Sequence, residues 1–116
     1  MGLVRPGSLY GTLELLILHA LDVRGSMNGV EVADHIAARS RDLFQVEEGS
    51  LYPALHRLQA KGYVDWQWMK TDKGKRAKYY ELTPAGRKAL ARARREWIRS
   101  TRAMLALMEV APEEIR

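Results

Sequence analysis

The 116 residues carry 19 Lys and Arg against 14 Asp and Glu, a net charge of +5, with 47% apolar residues and no cysteine. That length suits one domain, the apolar content suffices for a packed core, and the missing thiols exclude disulfides, thiol catalysis and thiolate metal sites. No aliphatic run spans a bilayer, no signal peptide opens the chain, and Pro6 stands where a myristoylated Met1-Gly2 start needs Ser or Thr. A soluble cytoplasmic protein with no membrane partner is expected.

In chain order, residues 8–22 read as a helix, with Leu9, Leu13, Leu16, Ile17 and Ala20 at the spacing of a buried face. Arg24-Gly25-Ser26 stops it. Asn28 can cap a second helix that runs to about Arg39 on a Val32, Ile36 and Ala37 stripe. Residues 43–46 form an extended link. A third helix is expected to open with Ser50 as N-cap and Pro53 in its first turn. Leu51, Leu55 and Leu58 bury one stripe of it, and Gly62 ends it. Residues 63–70 and 77–82 read as two strands joined by a turn at 71–75, which makes a hairpin with a cationic tip. Thr83 caps a last helix, with Pro84 at its first position, that can continue to about Met108.

Three helices followed by a hairpin is the order of a winged helix-turn-helix, a mostly α (α+β) fold, here with a C-terminal dimerisation helix. Residues 1–83 form the DNA-binding part and 84–116 the dimerisation helix, within one structural unit. The third helix fits a major groove about 12 Å wide. Removing its leucine stripe leaves Ser50, Pro53, His56 and Arg57 as candidates for base contact and Tyr52 as a donor to phosphate. Lys73, Lys75, Arg76 and Lys78 crowd one short stretch, and such a run of like charge suits phosphate neutralisation.

The last helix is strongly cationic and also carries an apolar stripe. From Arg87 to Arg102 it holds seven Lys or Arg against Glu96 alone. Leu90, Trp97 and Met104 recur every seven residues with Ala93 beside them, so part of this apolar face needs a second chain. A homodimer would set two reading helices about 34 Å apart. Trp97 is either an interface anchor or one wall of a pocket for a flat aromatic ligand. His19, His35 and His56 lack metal-ligand spacing, and Glu47-Glu48 suits a helix N-terminus. No nucleophile set, metal set or phosphate loop is visible, so neither an enzyme nor a cofactor is expected.

These residues resemble the PadR family of bacterial transcriptional regulators. The matching stretches are Thr12-Leu13-Glu14-Leu15-Leu16-Ile17-Leu18, Asn28-Gly29-Val30-Glu31-Val32-Ala33, Glu48-Gly49-Ser50-Leu51-Tyr52-Pro53-Ala54-Leu55-His56-Arg57-Leu58 with Lys61-Gly62, and Lys78-Tyr79-Tyr80-Glu81-Leu82-Thr83-Pro84-Ala85-Gly86. The resemblance implies a dimeric repressor whose recognition helix starts near Ser50, with Tyr52 and Arg57 touching DNA and the wing touching phosphate. A single helix after the wing resembles the short-form subgroup, which implies that this helix pairs with the partner's first helix, here through Leu9 and Leu13, and that a tryptophan near the place of Trp97 lines a multidrug pocket. The wing departs from the common Gly-Arg pattern, with Lys73-Gly74-Lys75-Arg76 instead. Two functions stand at this point: a homodimeric repressor on a palindromic operator, relieved by a small aromatic effector, or a winged-helix docking module without DNA specificity.

Overall fold

The computed structural model describes residues 11–115. Four helices and a small sheet follow one another as α1 (Thr12–Arg24), β1 (Met27–Asn28), α2 (Gly29–Arg39), α3 (Glu48–Ala60), β2 (Val64–Lys70), β3 (Arg76–Leu82) and α4 (Pro84–Leu107), with a 3₁₀ turn at Pro112–Glu114. The sheet is antiparallel in the order β1-β3-β2. This is the α+β winged helix that the element order predicts.

α1 is apolar on most of its circumference because α2, α3, α4 and β3 all pack against it. Ile17, Leu18, Ala20 and Leu21 are buried, and Leu13, Leu15 and Leu16 are partly so. The helix is observed from Thr12 and runs to Arg24, two residues past the expected end at 22, and Gly25 caps it within the expected stop. Asn28 caps α2 as expected, and Glu31 completes a capping box: the Asn28 side chain accepts from Glu31 N–H while the Glu31 carboxylate accepts from Asn28 N–H, both at 2.9 Å.

α3 corrects the sequence reading at its start. Its N-cap is Glu47, not Ser50: the N–H groups of Ser50 and Leu51 both donate to the Glu47 carbonyl. Pro53 therefore lies in the second turn, where it removes an N–H that the helix would have used. The reason is packing. Leu51, Ala54, Leu55 and Leu58 are all buried at i, i+3, i+4 and i+7, and two acidic residues precede them to favour an N-terminus there. Gly62 ends α3 at φ +79°, its N–H donating to Gln59 while Tyr63 N–H donates to Leu58, the paired bonds of a Schellman stop.

β1 has no counterpart in the sequence reading. Met27 and Asn28 pair with Tyr80 and Tyr79, and two residues are too few to show an alternating pattern. In the hairpin Val64 faces Leu82, Trp66 faces Tyr80, Trp68 faces Lys78 and Lys70 faces Arg76. One face of the hairpin is thus core at its base and cationic–aromatic towards its tip. The Thr83 hydroxyl accepts from Gly86 N–H at 3.0 Å and donates to the Gly62 carbonyl at 2.7 Å, tying the start of α4 to the end of α3.

Candidate nucleic-acid interface

The outer surface of α3 presents Ser50, Tyr52, Pro53, His56 and Arg57, all exposed. They do not form one homogeneous patch. The Tyr52 ring lies across the start of α2, so close that a Cβ on Gly29 would come within 2.7 Å of its hydroxyl. A side chain at position 29 would meet that ring, which would have to swing aside to admit it. Tyr80 sits buried nearby, and burial, with Tyr52 adding to it, raises its phenol pKa above 10.0.

Arg57 faces the other flank. Its Nε lies 3.3 Å from Glu14 of α1, and Lys61 Nζ lies 3.2 Å from the second oxygen of the same carboxylate. Both cations of the second half of α3 are held by one acid, although their side chains remain about half exposed. Sequence reasoning placed Arg57 among the free reading residues. Glu14 escaped notice because a partner 43 residues away leaves no local spacing.

Tyr52, the first residues of α2 and the wing enclose a cleft of about 520 Å³, with Lys73, Lys75, Arg76 and Lys78 on its wing side. Like charge gathered around one concavity focuses field there and favours an anion. The wing cations divide into two kinds. Lys73 and Lys75 are exposed at the tip, where Gly74 at φ +80° closes the turn. Arg76 and Lys78 are stacked: the guanidinium sits 4.8 Å from the Trp68 ring centre and the Lys78 ammonium 4.3 Å from that of Trp66. The two indoles meet edge to face at 5.6 Å. By sequence Trp66 and Trp68 are strand residues only, and the stack depends on the hairpin register that sets Trp68 opposite Lys78.

The hairpin is electrically two-sided. Its other face pairs Asp65 with Glu81, so phosphate is repelled there and attracted to the face bearing Lys70, Arg76 and Lys78.

A second recess lies between α1 and α4. It measures about 230 Å³ and is lined by Leu15, Leu16, His19, Arg94, Trp97 and Ile98. Leu90 is buried beneath α4, Ala93 is half-buried, and Trp97 and Met104 are each about 40% exposed. Leu13 is partly buried against the core, while Leu9 lies outside the described residues. On α2, His35 is held below its ordinary pKa of 6.5 by burial first, then by Arg24, Arg39 and His19. Among the described residues no three His, Asp or Glu side chains gather to hold a metal, and no helix is long and apolar enough to cross a membrane.

Known proteins share this fold. Residues 17–92 match the family described as the Transcriptional regulator PadR-like family. A transcriptional regulator of Mycobacterium tuberculosis is 45% identical over 56 residues, covering 48% of this chain and 51% of that protein. Among solved structures, a transcriptional regulator from Clostridium thermocellum superposes with a TM-score of 0.74 at 28% identity, covering 83% of this chain and 92% of the other. A PadR-like transcriptional regulator from Bacillus cereus gives 0.72 at 25%, covering 89% and 97%. A PadR family regulator from Eggerthella lenta gives 0.74 at 26%, covering 88% and 86%. Family, fold and the regulator class (a class without enzymatic activity) agree with the arrangement of α3 and the wing: the chain belongs to the PadR-like family of transcriptional regulators.

Proposed function

We propose that the protein is a homodimeric repressor that binds a palindromic DNA operator through α3 and the wing. The observation that carries this is the convergence of Tyr52 and the wing cations on one cleft beside the exposed, N-terminal half of α3. In this reading Ser50, Pro53 and His56 face base edges, and Arg57 joins them when it exchanges Glu14 for DNA. Tyr52, Lys73, Lys75, Arg76 and Lys78 hold phosphate and set the register. Stacking on Trp68 and Trp66 limits the rotamers of Arg76 and Lys78, so less side-chain entropy is lost on contact.

Residues 84–116 act as the dimerisation element. α4 has 24 residues, about 36 Å of helix; Trp97 and Ile98 stay partly exposed beside α1, and Met104 and Leu107 are exposed further along, with Met108 just past its end. The α1–α4 recess, completed by a partner, would take a small aromatic effector against Trp97. The effector must bind the DNA-competent and incompetent dimers unequally to relieve repression.

The test is a gel-shift series on fragments from upstream of the gene, at rising salt. A preferred fragment containing an inverted repeat is expected. Arg57→Ala should lower the preference, whereas Lys75→Ala should weaken all duplexes alike and reduce the salt slope by about one unit. No preference for any fragment over bulk DNA would instead favour a docking module. Sedimentation reads the dimer, and Trp97 fluorescence titrated with flat aromatic cations reads the recess: quenching that persists in Trp97→Ala would remove that tryptophan from it.

A further inference from the structure

α4 carries a second cationic surface that the α3–wing reading does not use. Lys88, Arg92, Arg95, Arg99 and Arg102 follow one another at intervals of four, three, four and three residues. At 3.6 residues per turn this keeps all five within about 80° of arc, a straight ridge about 21 Å long. Leu90 and Trp97 lie about half a turn away, on the side that faces α1. All five ridge side chains are exposed. Among the described residues none has a carboxylate within 4.0 Å, while Arg57 and Lys61 share Glu14, and Arg87 of the same helix reaches Asp22. Cations at i, i+3 and i, i+4 repel one another and weaken the helix that displays them. An anion laid along the ridge removes that repulsion.

We infer that the ridge is a second contact surface for the phosphate backbone of duplex DNA, separate from the α3–wing surface. A duplex presents about one phosphate per 3.4 Å of axis on each strand, so a ridge about 21 Å long lies beside roughly six phosphates of each strand, of which the winding of the strands turns a few towards it. Four of its five cations are arginine, whose fork matches phosphate oxygens. A lipid surface is the poorer match. An interfacial helix needs several large apolar residues beside its cations, and here the neighbouring positions are Ala91, Ala103 and Ala106, with Glu96 on one flank and Ile98 as the single large apolar residue on the other. One molecule can then hold two duplex segments, an operator on α3 and a second stretch on α4. That last step rests on the operator reading above, whereas the ridge contact itself does not.

Three forms of the full chain separate the two: a wing variant Lys73→Ala/Lys75→Ala, a ridge variant Arg95→Gln/Arg99→Gln/Arg102→Gln, and their combination. Far-UV circular dichroism and sedimentation confirm that each keeps its fold and assembly. Anisotropy with a random-sequence 20-bp duplex from 50 to 300 mM salt should show that the wing variant still binds through the ridge and the cations left on the wing, and that adding the ridge substitutions weakens this residual binding and flattens its salt slope further. The salt slope of the ridge variant alone should fall by up to about 2.7 units, at roughly 0.9 per contact. Its preference for an upstream fragment should stay that of wild type. Residual binding that is insensitive to the ridge substitutions overturns the inference, as does a wing variant with no duplex binding at 50 mM salt. Ridge-dependent binding to phosphatidylserine vesicles without any effect on duplex overturns it in favour of lipid. Failure of the operator reading looks different: no fragment is preferred by wild type, yet ridge-dependent binding to random duplex remains.

Discussion

Replacing Gly86 with alanine separates packing from helix propensity, because the two predict opposite signs. Gly86 is the third residue of α4, and alanine is the better helix former by up to about 1 kcal/mol. A Cβ at Gly86, however, would overlap the Tyr63 carbonyl oxygen and come within 2.9 Å of a Leu82 methyl and 3.0 Å of the Tyr63 carbonyl carbon. Backbone cannot swing aside as a flexible side chain can, so α4 must move away from the hairpin. That movement strains three bonds at once: Gly86 N–H to the Thr83 hydroxyl at 3.0 Å, that hydroxyl to Gly62 at 2.7 Å, and Thr83 N–H to Tyr63 at 3.1 Å. Overpacking costs about 1–3 kcal/mol and a lost cap about 1 kcal/mol. Against the propensity gain, the net loss is about 1–3 kcal/mol, or roughly 4–12 °C in Tm for a chain of this size. Thermal melts followed by circular dichroism read it. Gly49→Ala is the control, since a Cβ there meets nothing within 4 Å and the same substitution should raise Tm slightly. A Gly86→Ala protein as stable as wild type would refute the argument that α4 is seated by backbone contact on the hairpin.

Glu14→Gln frees Arg57 and Lys61, both half exposed, so the stability loss in urea melts should stay below about 1 kcal/mol. Its affinity for random duplex should rise, with a salt slope steeper by one to two units; a weaker, flatter binding curve would mean that Glu14 positions those cations for DNA and does not compete with it. Trp68→Ala removes the surface under Arg76 and should lower duplex affinity by a few-fold, while Trp68→Phe restores most of it, as measured by anisotropy. His35 has a folded pKa below its ordinary value, so its neutral form favours the fold and the stability it contributes is lost as pH falls below about 6.5. Urea midpoints at pH 7.5 and 5.5 should therefore converge in His35→Gln relative to wild type, and an unchanged pH difference would show that other groups carry it.

Much of this protein is written in local pattern. The Leu51, Leu55 and Leu58 stripe, Asn28 and Thr83 as caps, Gly62 as a helix stop and the cationic turn at 71–75 each act over a few residues, where periodicity and φ preference decide the outcome. Those features carry the winged-helix order and the position of α3 and the wing. The start of α3 lies at the margin of such reasoning. Ser50 and Pro53 make a plausible opening by themselves, but burying Leu51 and Ala54 together draws the helix back to Glu48.

What the tertiary structure alone decided are the pairings between distant residues. β1 exists because Met27 and Asn28 meet Tyr80 and Tyr79 across more than fifty residues. Arg57 and Lys61 are held because the crossing of α1 and α3 brings Glu14 between them. Arg76 and Lys78 are stacked because hairpin register sets them over Trp68 and Trp66. Tyr52 lies on Gly29 because α2 begins beside the second turn of α3. Charge, aromatic content and glycine can be counted along a chain, but which of them meet depends on how helices cross and how strands align. Those are set by the whole core at once, with no local spacing to announce them.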